Sequence, residues 1–321
     1  MTRVLAYRFS AFGDIAMTVP VFRELLEQNP DLEIIMVTKK NFEALFADLP
    51  QVIFKGINLE DYKGILGMRK LSKELLKEFE FDYVADLHDV IRSKILDTFF
   101  TNRNFKVFKV NKGKEEKEEL TNIWNLNKKQ LKSTFERYAD VFRDIGFPVT
   151  LSHQFRQKSI EKKAIGFAPF AQHKGKMLPL EKSFELCRIL AKNNKIYLFG
   201  GGSQEKAVLE TWQNEIPNTE NIAGKLNLAE ELSLISSLET MISMDSANMH
   251  LASLVGTRCI SIWGSTHPFA GFLGYGQSKN DVVQVVDLTC RPCSTFGDKE
   301  CYRGDYACLN ELNIQRVIDK I

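Results

Sequence analysis

Short apolar runs alternate with amphipathic stretches along almost the whole chain, and this alternation restricts the fold more than any single residue does. Runs at 3–8, 32–37, 52–54, 83–87 and 105–110 read as strands, with helices predicted over 14–28, 41–46, 68–79 and 91–100. The runs are too uniformly apolar for a sheet with one wet face, and they suit parallel strands covered on both sides by crossover helices. A charged helical stretch at 114–145 leads to Gly146-Phe-Pro148, after which 151–163 lapses into polar sequence and reads as a linker. A second cycle follows, with strands at 164–167, 195–199, 240–244 and 259–263 and helices at 183–192, 204–215, 228–238 and 247–255. An amphipathic segment at 312–321 closes the chain and is expected to pack back on the first domain. Two βαβ series of this size imply an α/β protein of two doubly wound, Rossmann-like domains facing a central cleft, 1–158 and 159–321. A length of 321 residues agrees, being long for one hydrophobic core.

With 44% hydrophobic and 26% charged residues the composition is that of an ordinary globular protein, and no apolar run approaches the ~20 residues that span a bilayer. The chain opens on a strand-like run without a signal-peptide pattern, so the expected location is cytoplasmic. A net charge of +2 argues against generic nucleic-acid binding. The cations are unevenly spread, with Lys94, Arg103, Lys106, Lys109, Lys112, Lys114, Lys117, Lys128, Lys129 and Lys132 between Arg92 and Arg137, offset in part by Glu115, Glu116, Glu118 and Glu119. This region reads either as a solvated surface or as a basic rim toward an anionic substrate or membrane. Four cysteines form the pattern Cys290-x2-Cys293-x7-Cys301-x6-Cys308. Only the first pair has metal-ligand spacing, so reduced, packing cysteines are expected and no metal is assigned.

Candidate chemistry sits where strands end. Asp245-Ser-Ala-Asn-Met-His250 lies between two apolar runs, so that an acid closes a strand and Ser246 caps a short helix. An ordinary corner looks the same, but such a turn also points free N–H groups and a positive helix end at a phosphate. Gly264-Ser-Thr-His-Pro268 ends the next strand and Gly200-Gly-Gly202 an earlier one. Asp14 opens the first helix, where a carboxylate serves as a cap, as a general base, or as both. Lys176 lies in a loop shaped by Gly175 and Pro179 and has the reach of a phosphate-binding point charge. Glu205 follows the glycine turn, as helix-start charge or as an acceptor for ribose hydroxyls. Neither half has Gly-x-Gly-x-x-Gly in its first strand-helix turn, which weakens a dinucleotide oxidoreductase reading.

Taken in order, several motifs resemble the bacterial lipopolysaccharide heptosyltransferases, glycosyltransferase family 9. They are Phe9-Ser-Ala-Phe-Gly-Asp14 with Thr18-Val-Pro20, Asp82-Tyr-Val-Ala-Asp86-Leu87, Lys176-Met-Leu-Pro179, Asp245-Ser-Ala-Asn-Met-His250 and Gly264-Ser-Thr-His-Pro268. The Cys-x2-Cys near the end resembles members of that family too. The resemblance implies a GT-B architecture with an acceptor-binding domain first and a nucleotide-sugar domain second. It implies inverting, metal-independent transfer of heptose from ADP-heptose to the inner core of lipopolysaccharide or lipooligosaccharide, without a cofactor. Asp14 then matches the general base and Lys176 the diphosphate-binding lysine. Ser246, Ala247 and Asn248 fall where backbone amides meet the diphosphate, and Asp245 and His250 at the donor-site acid and histidine. Leu178 stands where the family commonly has Trp, Ser246-Ala247 where it has Thr-Gly, His267 where it has Asp, and His88-Asp89 where it has Gln-Gly.

A core oligosaccharide is anionic, so Arg69, Lys70 and Arg92 are the candidate acceptor cations, at the cytoplasmic face of the inner membrane. The alternatives are a family member using another nucleotide sugar and glycan, or a binding protein that has lost catalysis. Asp14 together with Lys176 favours the enzyme, since a pure binder needs no base.

Overall fold

The computed structural model describes residues 1–156 and 162–321, so the expected boundary between 158 and 159 and the middle of the expected linker lie outside the described residues. The chain divides into two compact units, Met1–Lys112 with Thr134–Ser152, and Gly113–Ser133 with His153–Ile321.

The first unit holds β1 (Thr2–Tyr7), β2 (Leu32–Lys39), β3 (Val52–Ile57), β4 (Tyr83–Asp86) and β5 (Lys106–Lys109). All pair in parallel, in the order β3-β2-β1-β4-β5. Leu5, Tyr7, Ile35, Val37 and Val84 are buried with Met68, Leu71, Leu75, Leu96 and Phe100 of the covering helices. The central strands β1, β2 and β4 are thus largely buried, as parallel crossover topology requires, while the edge strands β3 and β5 are partly exposed. The chain winds outward from β1 to β3, then returns to place β4 on the other side of β1. The strand order therefore reverses between β1 and β4, and a crevice opens at their C-terminal ends.

The second unit repeats the scheme with β6 (Lys162–Ala168), β7 (Lys195–Leu198), β8 (Thr219–Asn221), β9 (Leu238–Met244), β10 (Arg258–Ile262) and β11 (Val282–Val283). These strands are also parallel, in the order β11-β10-β9-β6-β7-β8. Here the order reverses between β6 and β9. The two strands absent from the sequence reading, β8 and β11, are both short edge strands, and β8 is the polar tripeptide Thr-Glu-Asn. Leu312 and Val317 of the closing segment are buried in this unit's own core, with Leu186, Leu190, Ile260 and Ile262. Only Gln315–Ile318 of that segment is α-helical.

The single helix expected over 114–145 is two helices, Lys114–Thr121 and Thr134–Ile145, which belong to different units. Between them, Asn122 Oδ1 accepts the Trp124 N–H (3.0 Å) and Asn125 Oδ1 the Asn127 N–H (2.9 Å). These local side-chain bonds offer the backbone an alternative to the helical ladder. The first expected helix is likewise divided, into Phe12–Ala16 and Thr18–Gln28. The segment expected as a helix over 41–46 is 3-10, Lys40–Phe46.

Candidate active site

Asp14 sits just past β1, on the third residue of helix Phe12–Ala16. Its Oδ2 receives the Arg8 guanidinium at 2.6 Å and the Ala11 N–H at 3.5 Å. Arg8 is buried, lies over the Tyr138 ring (5.6 Å), and also donates to the Leu87 carbonyl beyond β4. In the sequence Arg8 reads as the last residue of the first strand. Its position at the C-terminal end of a buried parallel strand was the available signal, because a charge there faces the crevice. Across from it, His88 stacks edge-on to Phe9 (5.8 Å), accepts the Phe9 N–H on Nδ1 (3.4 Å) and meets Ser10 Oγ with Nε2 (3.3 Å). Asp86, fully buried, accepts the N–H groups of His88 (2.8 Å) and Asp89 (2.9 Å) and the Ser93 hydroxyl (2.8 Å). It therefore shapes the turn that presents His88, and burial beside Asp97 raises its carboxyl to about 6.

Burial, then the charges of Arg8, Lys112 and Arg92, push the His88 imidazole down to about 3, against an opposing pull from Asp14. Burial and Arg291 similarly hold His267 at about 4. Below pH 6.5 the unfolded chain takes up protons on these histidines and the folded chain does not, so both contribute stability that is lost as pH falls from about 6.5 toward 4. Asp86 acts in the opposite sense, costing stability as pH rises from about 4 to about 6. His88→Gln is expected to lose less stability than the wild type between pH 7 and pH 4.5 in urea unfolding. An unchanged acid slope would remove His88 from this role.

In the second unit, the loops after β6 and β9 meet where the strand order reverses. Lys176, on the 3-10 turn Lys174–Lys176, places Nζ 3.0 Å from Asp245 Oδ2, which also accepts the Thr266 hydroxyl at 2.8 Å. Asp245 is buried at the end of β9, and its N–H continues the ladder to the Ile262 carbonyl (3.0 Å). Close contact fixes the lysine loop. The Gly175 carbonyl accepts both the N–H (2.7 Å) and the hydroxyl (2.9 Å) of Ser265, and a Cβ on Gly175 would lie 2.4 Å from that hydroxyl. Gly297, at φ +79, packs so closely that a Cβ would meet Lys176 Cγ at 2.4 Å. A side chain at Gly297 displaces the lysine, and one at Gly175 forces the loop away from Ser265.

Ser246 takes the N-cap position of helix Ala247–Leu254, but its hydroxyl faces Ser243 Oγ (3.1 Å) rather than the helix amides. Ala247 and Asn248 form the first turn, and His250 is buried one turn further in. Glu205 lies on helix Ser203–Glu215, where its Oε2 accepts the Gly201 N–H (2.7 Å) and clasps the glycine turn after β7. The structure thus brings Lys176, Asp245 and Ser246 to one switch point and adds Thr266, while Glu205 stands at the end of a neighbouring strand. Arg69 and Lys70 lie exposed inside helix Gly64–Glu78, with Lys70 near Glu74 (3.9 Å), and Arg92 lies at the start of helix Ile91–Thr101.

Arg291 is the functional-site residue least visible in sequence. It is buried, and its guanidinium donates to the carbonyls of Trp263 (3.2 Å), Gly264, Thr266 (2.9 Å) and Val285, and to Gln284 Oε1 (3.1 Å). It therefore fixes the loop that carries Ser265 and Thr266. Burial lowers its pKa to about 10, which leaves it cationic at neutral pH. Arg291→Met strands several carbonyls at once, for an expected cost of about 3 kcal/mol or more. In a unit of this size that lowers the thermal midpoint by about 6–12 °C. A shift below about 2 °C would show that the loop holds without it.

Cys290, Cys293, Cys301 and Cys308 line one small cavity beside Ser265 and Arg291, and all six cysteines are free thiols. Burial pushes the Cys308 thiol up to about 11, and burial with the neighbouring Cys290 and Cys301 raises Cys293 as well. Among the described residues, no group of three or more His, Cys, Asp or Glu side chains is arranged to hold a metal ion. Elemental analysis of protein purified without chelator is expected to give zinc well below one equivalent per chain. Stoichiometric zinc would overturn the reading of these cysteines as packing residues.

Comparison with known proteins adds four findings. The sequence pattern of glycosyltransferase family 9 (heptosyltransferase) matches residues 68–302. The chain is 24% identical over 320 residues to lipooligosaccharide heptosyltransferase 2 of Campylobacter jejuni subsp. jejuni serotype O:2, covering 96% of this chain and 93% of that protein. Among solved structures it is similar to a family 9 glycosyl transferase from Veillonella parvula, with a TM-score of 0.74 at 16% identity over 99% of this chain and 95% of that one. It is also similar to the E. coli heptosyltransferase WaaC with ADP-2-deoxy-2-fluoro heptose, with a TM-score of 0.68 at 17% identity over 92% and 97% of the two chains.

Proposed function

The chain belongs to glycosyltransferase family 9 and has the GT-B fold, and from that premise we propose that it is an inverting enzyme moving heptose from ADP-heptose to the inner core of lipopolysaccharide or lipooligosaccharide. The observation that carries this reading is the convergence of Lys176, Asp245 and the Ser246 helix start at the second sheet's switch point. One lysine ammonium, one buried acid and a set of helix-start amides suit a nucleoside diphosphate. The ion pair holds Lys176 extended toward that position before a donor arrives, which reduces the ordering cost of binding.

In the reaction, Asp14 takes the proton of the acceptor hydroxyl as that oxygen attacks the anomeric carbon from the face opposite the nucleotide. The bond to the diphosphate oxygen breaks in the same displacement, so configuration inverts. Arg8 holds the Asp14 carboxylate in one orientation. Negative charge grows on the departing ADP, where Lys176 and the amides of Ser246, Ala247 and Asn248 stabilise it more than in the ground state. His250 and Asp245 shape the donor side, Glu205 lies in reach of the glycine turn for the ribose, and no metal takes part in this scheme. Arg69, Lys70 and Arg92 face the anionic, lipid-linked acceptor, with the protein working at the inner membrane's cytoplasmic surface.

The test is calorimetric titration with ADP, UDP and GDP, followed by turnover of ADP-heptose on defined core oligosaccharides. Preference for UDP or GDP would move the chain to another nucleotide sugar, and ADP binding without turnover would make it a binding protein. Arg92→Ala is expected to raise the acceptor KM with little change in donor binding, an effect that shrinks as salt rises. Unchanged acceptor kinetics at low salt in both Arg92→Ala and Arg69→Ala would remove the anionic-acceptor assignment.

A further inference from the structure

The first unit carries an apolar patch that the transfer chemistry does not use. Helices Gly64–Glu78 and Ile91–Thr101 pack side by side, and each begins at the C-terminal edge of the sheet. Their first residues leave Ile65 63%, Leu66 78% and Ile91 81% exposed. Glu60, four residues before the first of these helices, lies within electrostatic reach of Arg92 at the start of the second. A single exposed aliphatic residue is ordinary, but three large ones at adjacent helix starts require a reason.

The surroundings are basic. Lys63, Arg69, Lys70, Arg92 and Lys94 flank the patch, against Glu60, Asp61 and Asp89. Lys63 pairs with Glu60 (2.6 Å), Lys94 with Asp89 (3.1 Å) and Lys70 with Glu74 (3.9 Å), which leaves Arg69 and Arg92 against Asp61 and a small positive excess. We propose that Ile65, Leu66 and Ile91 form a wedge that inserts into an anionic phospholipid surface while the neighbouring cations meet its headgroups. Short aliphatic insertion and headgroup attraction are each weak, and together they give reversible anchoring. The proposal gives a physical form to the membrane contact in the functional reading above, and it rests on that reading only for its purpose. A second exposed patch, Trp124 with Leu126 and Tyr302 in the other unit, follows Glu115, Glu116, Glu118 and Glu119 and is a poorer match to an anionic surface.

The experiment is co-sedimentation of the full chain with vesicles of phosphatidylethanolamine and phosphatidylglycerol that contain no acceptor. Binding is expected, decreasing with salt, and reduced about tenfold or more in Ile65→Asp/Leu66→Asp/Ile91→Asp. The milder Ile65→Ser/Leu66→Ser/Ile91→Ser variant is expected to fall between that variant and the wild type, and Trp124→Asp/Leu126→Asp to bind like the wild type. Turnover on a soluble, delipidated acceptor is expected to stay unchanged in the patch variants. Wild-type protein that ignores these vesicles, patch variants that bind them fully, or loss of binding only in the Trp124 variant would each overturn the proposal. So would light scattering that showed the patch to be a contact between two copies of the chain. Failure of the glycosyltransferase reading has a different signature, namely vesicle binding intact with no transfer to the soluble acceptor.

Discussion

Asp14→Asn is expected to slow sugar transfer by about 10²–10⁴-fold while changing ADP affinity by no more than a few-fold. The amide keeps the size of the carboxylate and an oxygen for the Ala11 N–H, which Asp14 meets at 3.5 Å. It cannot accept the proton of an attacking hydroxyl. It also removes the charge that balances Arg8 at 2.6 Å, so some loss of stability accompanies the loss of rate. ADP binding separates the two effects, because the proposed nucleotide site is built from the other unit. A variant that turns over within about tenfold of the wild type takes Asp14 out of the role of base.

Lys176→Ala is expected to weaken ADP binding by about 10–100-fold, as befits the loss of a charged donor to a diphosphate. The true loss includes a second effect. Without the ammonium, the buried Asp245 carboxylate keeps only the Thr266 hydroxyl at 2.8 Å, and its unbalanced charge repels the incoming anion. Adding Asp245→Asn to Lys176→Ala should therefore recover part of the affinity, and a double-mutant cycle by calorimetry measures that coupling. Unchanged ADP affinity in the single variant would show that the lysine does not face the diphosphate. Strictly additive changes would show that the ion pair has no part in binding.

The two sheets were legible in the sequence because buried parallel strands announce themselves as apolar runs, from 3–8 through to 259–263. The switch points were legible too, since Asp14, Lys176 and Asp245 each follow one of the strands where ligands gather. What sequence periodicity cannot give is partnership across long separations. Arg8 and Asp14 are close in the chain, but Arg8 reads as the end of a strand until the Leu87 carbonyl and Tyr138 ring appear beside it. Arg291 stands between two cysteines, which draw attention to the thiols rather than to the guanidinium that holds the loop at Gly264 and Thr266. The break at 122–133 was masked by charge. Lysines and glutamates sustain a helical reading through a stretch where asparagines turn the chain.

The passage of Gly113–Ser133 into the second unit has a consequence for synthesis. As the chain leaves the ribosome, the first unit is still incomplete at Lys112, because helix Thr134–Ile145 has yet to bring Phe142 against Phe22 (5.7 Å). It closes only after the 113–133 excursion has emerged, and that excursion then waits for more than a hundred further residues before its own partners exist. Leu131 donates its N–H to the Phe269 carbonyl (2.9 Å), and Lys117 lies over the Phe272 ring (4.5 Å). Domains ordinarily finish one after the other during translation. Here the first to finish holds out a strip of the second, so the order of assembly is written into the path of the chain, and neither half can be released as a simple contiguous fragment.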